Sequence, residues 1–134
     1  SRRFVNTVVQ ARDDGCDTIV YATTSSIYGN RTEPSPEDMD VETQTGYEAS
    51  KLGRERYAEY FSHHYDLSLA GMRFFSVYQG YGGNEGHKRE YANILAQFAD
   101  DIAHGRSPEI YGDGTQTRDF THVDDIVRGL VARC

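Results

Sequence analysis

What the sequence has little of closes off several classes of function. Among 134 residues there is no tryptophan, and there are two cysteines and three prolines. Cys16 and Cys134 are too few and too far apart for a disulfide framework or a zinc site, so no metal is expected. Cys16 is expected to be a small buried residue beside a strand, and Cys134 an exposed one at the chain end. No apolar run approaches the roughly 20 residues that cross a bilayer. Ser1-Arg2-Arg3-Phe4-Val5 is basic, but no apolar core of a signal peptide follows it, so a cytoplasmic location is the expectation. Basic residues are outnumbered 14 to 21, for a net charge of -7, which argues against a nucleic-acid surface. Lys51 and Lys88 are the only lysines. There are no internal repeats and no low-complexity tract.

What is present is a regular alternation. Phe4, Val5, Val8, Val9 and Ala11 form a helical stripe that stops at Asp13-Asp14-Gly15. Thr18 to Ala22 is a β-branched, apolar run, expected to be a strand buried on both faces. Residues 29 to 45 are polar, contain Pro34 and Pro36, and read as a loop. Helical spacing returns from Tyr47 to His64, and Leu67 to Tyr78 reads as a second strand. A Gly-rich loop follows from Gly80 to Gly86, then a helix from Tyr91 to His104 stopped by Gly105. Glu109-Ile110-Tyr111 reads as a short strand before the turn Gly112-Asp113-Gly114. A last helix over Val123 to Val131 is expected to be capped by Thr121 or by Asp124 and Asp125 in its first turn. Helices alternating with strands predict an α/β fold with a parallel sheet.

Three patches carry chemistry. Tyr47 and Lys51 are four apart on a helix and so share a face. A phenol is a poor base at neutral pH, but a fixed ammonium nearby favours the phenolate, which can take or return a hydroxyl proton. By itself the pair also fits a half-buried Tyr beside a solvated Lys. Thr23-Thr24-Ser25-Ser26-Ile27-Tyr28-Gly29 follows a strand directly. Hydroxyls at the carboxyl end of a parallel strand face the crevice where ligands bind, though such a run also caps helices. Gly112-Asp113-Gly114-Thr115-Gln116-Thr117-Arg118-Asp119-Phe120 presents Arg118 after a tight turn, suited to a phosphate or to an ion pair with Asp119 or Asp113. The histidines read as structural: His63 and His64 near helix-terminal carbonyls, His122 in a hydrogen bond.

Together these patches resemble the extended short-chain dehydrogenase/reductase family, and within it the NAD-dependent nucleotide-sugar epimerases of the UDP-glucose 4-epimerase type. The resemblance covers nearly the whole chain, through T-S-S-I-Y-G, Y-E-A-S-K, R-F-F-S-V-Y and G-D-G-T-Q-T-R-D-F-T-H-V. It implies part of a Rossmann-like, doubly wound parallel sheet in a single partial domain: residues 1–78 the later half of the Rossmann-like domain with the catalytic helix, residues 79–134 substrate-binding segments and the start of a further helix. By the same resemblance Thr24 is the catalytic hydroxyl and Tyr47 the general base. Lys51 binds the nicotinamide ribose and tunes the Tyr, and Phe74 and Phe75 lie beside the nicotinamide. Ser25 and Ser26 face substrate. Ser76 stands where many relatives have an Asn that touches the substrate diphosphate. Asn93 is a substrate-binding Asn at a helix start, Ile110 and Tyr111 pack on the nucleotide base, and Arg118 meets the diphosphate. NAD is the implied cofactor, a UDP-sugar the implied substrate, and a homodimer the implied assembly of the full-length protein.

The implied reaction is 4-epimerisation through a transient 4-keto sugar. Dehydratases and decarboxylases of the family usually carry an acidic residue two after the catalytic Thr. Ser26 stands there, which favours epimerisation, while a simple reductase uses the same Tyr-Lys pair. A dinucleotide-binding unit should open with a strand, a Gly-rich turn and a helix. That turn is not in this sequence, which begins and ends within helical patterns. Two expectations follow: a segment of a working enzyme, or a truncated remnant that keeps the motif without binding NAD.

Overall fold

The computed structural model describes residues 2–79 and 92–133. The Gly80–Gly86 loop, Tyr91 and Cys134, on which expectations were placed, lie outside the described residues. The chain forms two compact units, Ser1–Phe74 with Gly129–Cys134, and Phe75–Arg128.

The first unit opens with helix α1, Arg2–Asp13. Its apolar stripe sets Val8 at the centre of the core with Phe61 and Leu67, and Phe4, Val5, Val9, Ile19 and Leu69 pack around them. Gly15, at φ 84°, makes the left-handed turn that releases the chain into strand β1, Thr18–Thr24. A 3-10 turn, Ser25–Tyr28, follows at once, and residues 29–45 form the expected loop. Helix α2, Gly46–Tyr65, starts in a capping box: Glu48 N–H donates to the Thr45 hydroxyl, and the Glu48 carboxylate accepts from the Thr45 N–H. It stops at Asp66, a residue type tolerated in the left-handed region, at φ 52°. Strand β2, Ser68–Phe74, runs parallel to β1 in register from Thr18↔Ser68 to Thr24↔Phe74. Helix α2 packs against both strands.

The second unit holds strand β3, Ser76–Tyr78, helix α3, Ile94–Ala103, and strand β4, Phe120–His122. β3 and β4 pair in parallel, Ser76 opposite Phe120. Helix α4, Val123–Arg133, begins in this unit and ends in the first.

The α/β alternation and the parallel pairing agree with the sequence, and several details differ. The run from Leu67 to Tyr78 is two strands in two sheets. β1 ends at Thr24, so the ladder has no partner beyond Phe74, and Ser76–Tyr78 pairs with β4 instead. Residues 109–111 form no strand: the Tyr111 carbonyl accepts from the Gln116 side chain at 2.8 Å, in a local turn. β4 was not expected, because three residues carry no readable period. β1 is not buried on both faces; Thr23 and Thr24 are buried, but Thr18 and Ala22 are exposed, with β2 the one neighbour in its two-stranded sheet. Cys16 is exposed rather than buried, in the turn between α1 and β1. Asp124 and Asp125 stand in the first turn of α4 as expected, and the His122 Nδ1 also accepts from the Asp124 N–H at 3.2 Å. His63 and His64 do lie in the last turn of α2, as expected, and the His64 ring is tilted against Tyr60 with centroids 4.3 Å apart.

Candidate active site

Tyr47 sits in the first turn of α2, where the capping box sets the helix start, and Lys51 lies one turn on. The Lys51 Nζ is 5.4 Å from the centroid of the Tyr47 ring, so the ammonium and the phenol share one local environment. The Tyr47 side chain is 57% exposed, open to an incoming ligand. Among the described residues, no hydrogen bond from elsewhere anchors either side chain, so both go where the helix backbone carries them.

Thr24 ends β1 and is buried. Its hydroxyl accepts from the Ser26 N–H at 3.3 Å, capping the 3-10 turn, and donates to the Ser26 Oγ at 3.1 Å. The capping use of this Ser/Thr run is therefore realised. It also leaves the exposed Ser26 hydroxyl with its own proton to direct outward. Phe74, the register partner of Thr24, ends β2. The first unit thus brings Thr24, Ser25, Ser26, Tyr47, Lys51 and Phe74 to the strand ends and the helix beside them.

The other nominated residues lie in the second unit. Phe75 is 40% exposed just after β2, and Ser76 N–H donates to the Asp119 carbonyl at 3.2 Å. Asn93 is held twice. Its Oδ1 accepts from the Ala96 N–H at 3.0 Å as the α3 cap, and its Nδ2 donates to the Val77 carbonyl at 2.7 Å. Ile110 and Tyr111 are on an exposed turn, not on a strand. Arg118 donates to the Thr117 carbonyl at 2.7 Å, and Asp113 is engaged by Thr115 instead. Hydrogen bonds from the Thr115 hydroxyl and N–H hold the Asp113 carboxyl below its ordinary value.

Sequence reasoning missed Glu55 and Arg73. Arg73 Nε and Nη2 donate to the two Glu55 carboxylate oxygens at 3.1 and 2.7 Å, a bidentate pair. Arg73 Nη1 donates to the Tyr28 hydroxyl and the Glu37 carbonyl, both at 2.9 Å. Glu55 Oε1 also accepts from the Thr23 hydroxyl at 2.7 Å. Burial pushes the Glu55 carboxyl up, but the hydrogen bonds from Arg73 and Thr23 and the Arg73 charge outweigh it, so it lies below its ordinary value. The Arg73 guanidinium is raised, first by its hydrogen bonds to Glu55. Nearby, burial and the Glu55 charge push the Tyr21 phenol up to about 12. Two signals pointed here: Glu55 continues the four-residue spacing of 47 and 51, and an arginine inside an apolar strand demands a partner.

Among the described residues no group of His, Cys, Asp and Glu could hold a metal ion, and no helix is long and apolar enough to cross a membrane. The model of the NAD-dependent epimerase/dehydratase family matches residues 4–133. The chain is 37% identical over 129 residues to a UDP-glucuronate 4-epimerase of Thermodesulfobacterium geofontis, covering 96% of this chain and 38% of that protein. Its structure is similar to a UDP-N-acetylglucosamine 4-epimerase from Methanobrevibacter ruminantium in complex with UDP-N-acetylmuramic acid, with a TM-score of 0.89 at 27% identity over 97% of this chain and 41% of that one. It is also similar to a UDP-glucuronic acid 4-epimerase from Bacillus cereus in complex with UDP-glucuronic acid and NAD, with a TM-score of 0.72 at 30% identity over 87% and 35% of the two chains. The chain thus spans about two fifths of the length of these relatives. The parallel α/β architecture is that of Rossmann-like epimerases, and the chain belongs to the NAD-dependent epimerase/dehydratase family.

Proposed function

We propose that this chain is the catalytic segment of a UDP-sugar 4-epimerase that works with bound NAD. The observation that carries the reading is the Tyr47–Lys51 pair on one open face of α2, the ammonium 5.4 Å from the ring. The three relatives above, named for two different UDP-sugars, are all 4-epimerases, which supports C4 as the reacting carbon and UDP as the nucleotide. NAD, when bound, supplies the acceptor and donor of the hydride. The described residues fit its nicotinamide-ribose end: a phenol and an ammonium side by side on an exposed face suit ribose hydroxyls. The pyrophosphate cradle, a Gly-rich turn at a helix N-terminus, is not in this sequence. Tyr47 takes the C4 hydroxyl proton and later returns it. Lys51 places its ammonium beside the phenol, and the Thr24–Ser26 hydroxyl pair holds the sugar oxygen. Arg118 and Ser76 recognise the diphosphate, Asn93 binds substrate, and Phe74 and Phe75 line the nicotinamide. Ser26, where a dehydratase would need a carboxyl group, favours epimerisation. A cytoplasmic homodimer is the assembly that goes with this reading, its two functional parts falling at residues 1–78 and 79–134.

The test is Tyr47→Phe in the whole protein, with UDP-glucose, UDP-N-acetylglucosamine and UDP-glucuronic acid as substrates. Turnover is expected to fall about 10²- to 10⁴-fold while UDP-sugar binding by calorimetry persists. Unchanged turnover would remove Tyr47 as the base.

A further inference from the structure

Glu55 lies on α2 one turn beyond Lys51 and two beyond Tyr47, on the same face. Its carboxylate grips two neighbouring strands at once: Thr23 on β1 and Arg73 on β2, which are register partners. Each of those residues directly precedes one that the reading above places in the site, Thr24 and Phe74. Arg73 extends the grip to Tyr28 at the end of the 3-10 turn and to the Glu37 carbonyl in the following loop. Four of the five guanidinium N–H groups are thereby used. The pair is largely buried, its side chains 18% and 14% exposed for Arg73 and Glu55. Stability alone does not call for such a pair: desolvation offsets much of its attraction, and well-packed apolar residues of similar volume often serve as well. What apolar residues lack is direction. A fork of fixed hydrogen bonds fixes how far α2 slides along the strands, which non-directional packing leaves loose. Among the described residues no hydrogen bond from elsewhere anchors Tyr47 or Lys51, so their place relative to Thr24 is inherited from that setting.

We propose that Glu55 and Arg73 are positioning residues, a clamp that sets the height of α2 over the ends of β1 and β2 and with it the separation of Tyr47 and Lys51 from Thr24. The inference rests on the epimerase reading for its kinetic consequence but not for its geometry. A displacement of about 1 Å of a reacting group costs on the order of 100-fold in rate, so a slipped helix shows in kcat first.

The experiment compares the whole protein with Glu55→Gln and with the double variant Glu55→Leu/Arg73→Met, which replaces the ion pair by apolar volume. Three quantities are read: the melting temperature, kcat and KM with a UDP-sugar, and the ¹³C shift of the hydroxyl-bearing ring carbon of Tyr47, assigned by its loss in Tyr47→Phe. In both variants kcat is expected to fall about 10- to 100-fold with KM nearly constant, and the Tyr47 signal to move. The double variant regains the melting temperature without regaining kcat. A double variant with wild-type kcat, or a Tyr47 signal unmoved in both, overturns the clamp. Wild-type protein without turnover on any UDP-sugar would overturn the epimerase reading instead, and the Tyr47 signal would still decide the clamp.

Discussion

In the unit Ser1–Phe74 with Gly129–Cys134, Val8, Phe61 and Leu67 share a core, and Thr23, Thr24, Ile27, Tyr28 and Ala58 are buried as well. In the unit Phe75–Arg128 no described residue is buried, and Ile94, Leu95, Ile102, Ile110 and Tyr111 are exposed. The polar contacts differ in the same way. Glu55 reaches residues 32 and 18 positions away, whereas Asp113 is bound by Thr115 and the Tyr111 carbonyl by Gln116. The second unit has long ties of its own: Asn93 holds Val77 from 16 positions away, Ser76 N–H donates to the Asp119 carbonyl, and β3 pairs with β4. The proposed proton-transfer residues therefore stand on a frame defined by non-local packing. Arg118, and Ile110 and Tyr111 before it, stand on turns held by near neighbours, while Ser76 and Asn93 are tied to Asp119 and Val77. Proton transfer depends on sub-ångström placement, while a charged guanidinium tolerates more latitude in meeting a phosphate.

Core truncation tests this contrast most strongly. Phe61→Ala should destabilise by about 3–5 kcal/mol, whereas Ile102→Ala, at a side chain 66% exposed, should change stability by less than about 0.5 kcal/mol. Denaturant titration of both variants checks this, and equal losses would erase the difference between the units.

Acid sharpens the contrast next. The Glu55 carboxyl is depressed in the folded state, so the stability it contributes is present above its ordinary value of 4.5 and is lost as pH falls through the folded value. Thermal melts at pH 7 and pH 4 should show a larger drop for the wild type than for Glu55→Gln, which cannot take up that proton.

The helix caps give the smallest effect. Thr45→Ala removes half of a capping box and should cost about 1 kcal/mol. Asn93→Ala removes a cap and the bond to Val77 together and should cost somewhat more, about 1–2 kcal/mol. If Asn93→Ala cost less in denaturant titration, the bond to Val77 would contribute little.

Much of this is legible in the sequence alone. The apolar stripe of α1 and the spacing within α2 are periodic over several turns, so both helices were readable. The strand at Leu67–Tyr78 was readable as extended backbone but not as two strands, because its division depends on where β1 runs out of partners at Thr24. β4 and the turn at 109–111 were misjudged for a related reason: three residues have no period, and which of them pairs depends on what lies alongside. Cys16 was misplaced because residue type states a preference for burial, while the turn after Gly15 decides exposure.

Tyr47 and Lys51 mark the boundary. That they share a face follows from 3.6 residues per turn, a local rule the sequence alone determined, as it did the Thr-rich strand end. Gly71 shows the other side. Its place in β2 was readable, but the reason a larger residue does not fit was not: an added Cβ would lie 2.7 Å from the Tyr21 ring across the ladder. The Glu55–Arg73–Thr23 network is of the same kind. Whether a half-buried carboxylate finds a guanidinium or is left alone depends on which strands the chain lays side by side, and only the tertiary structure decides that, because hydrogen bonds act over about 3 Å of space and ignore distance along the chain.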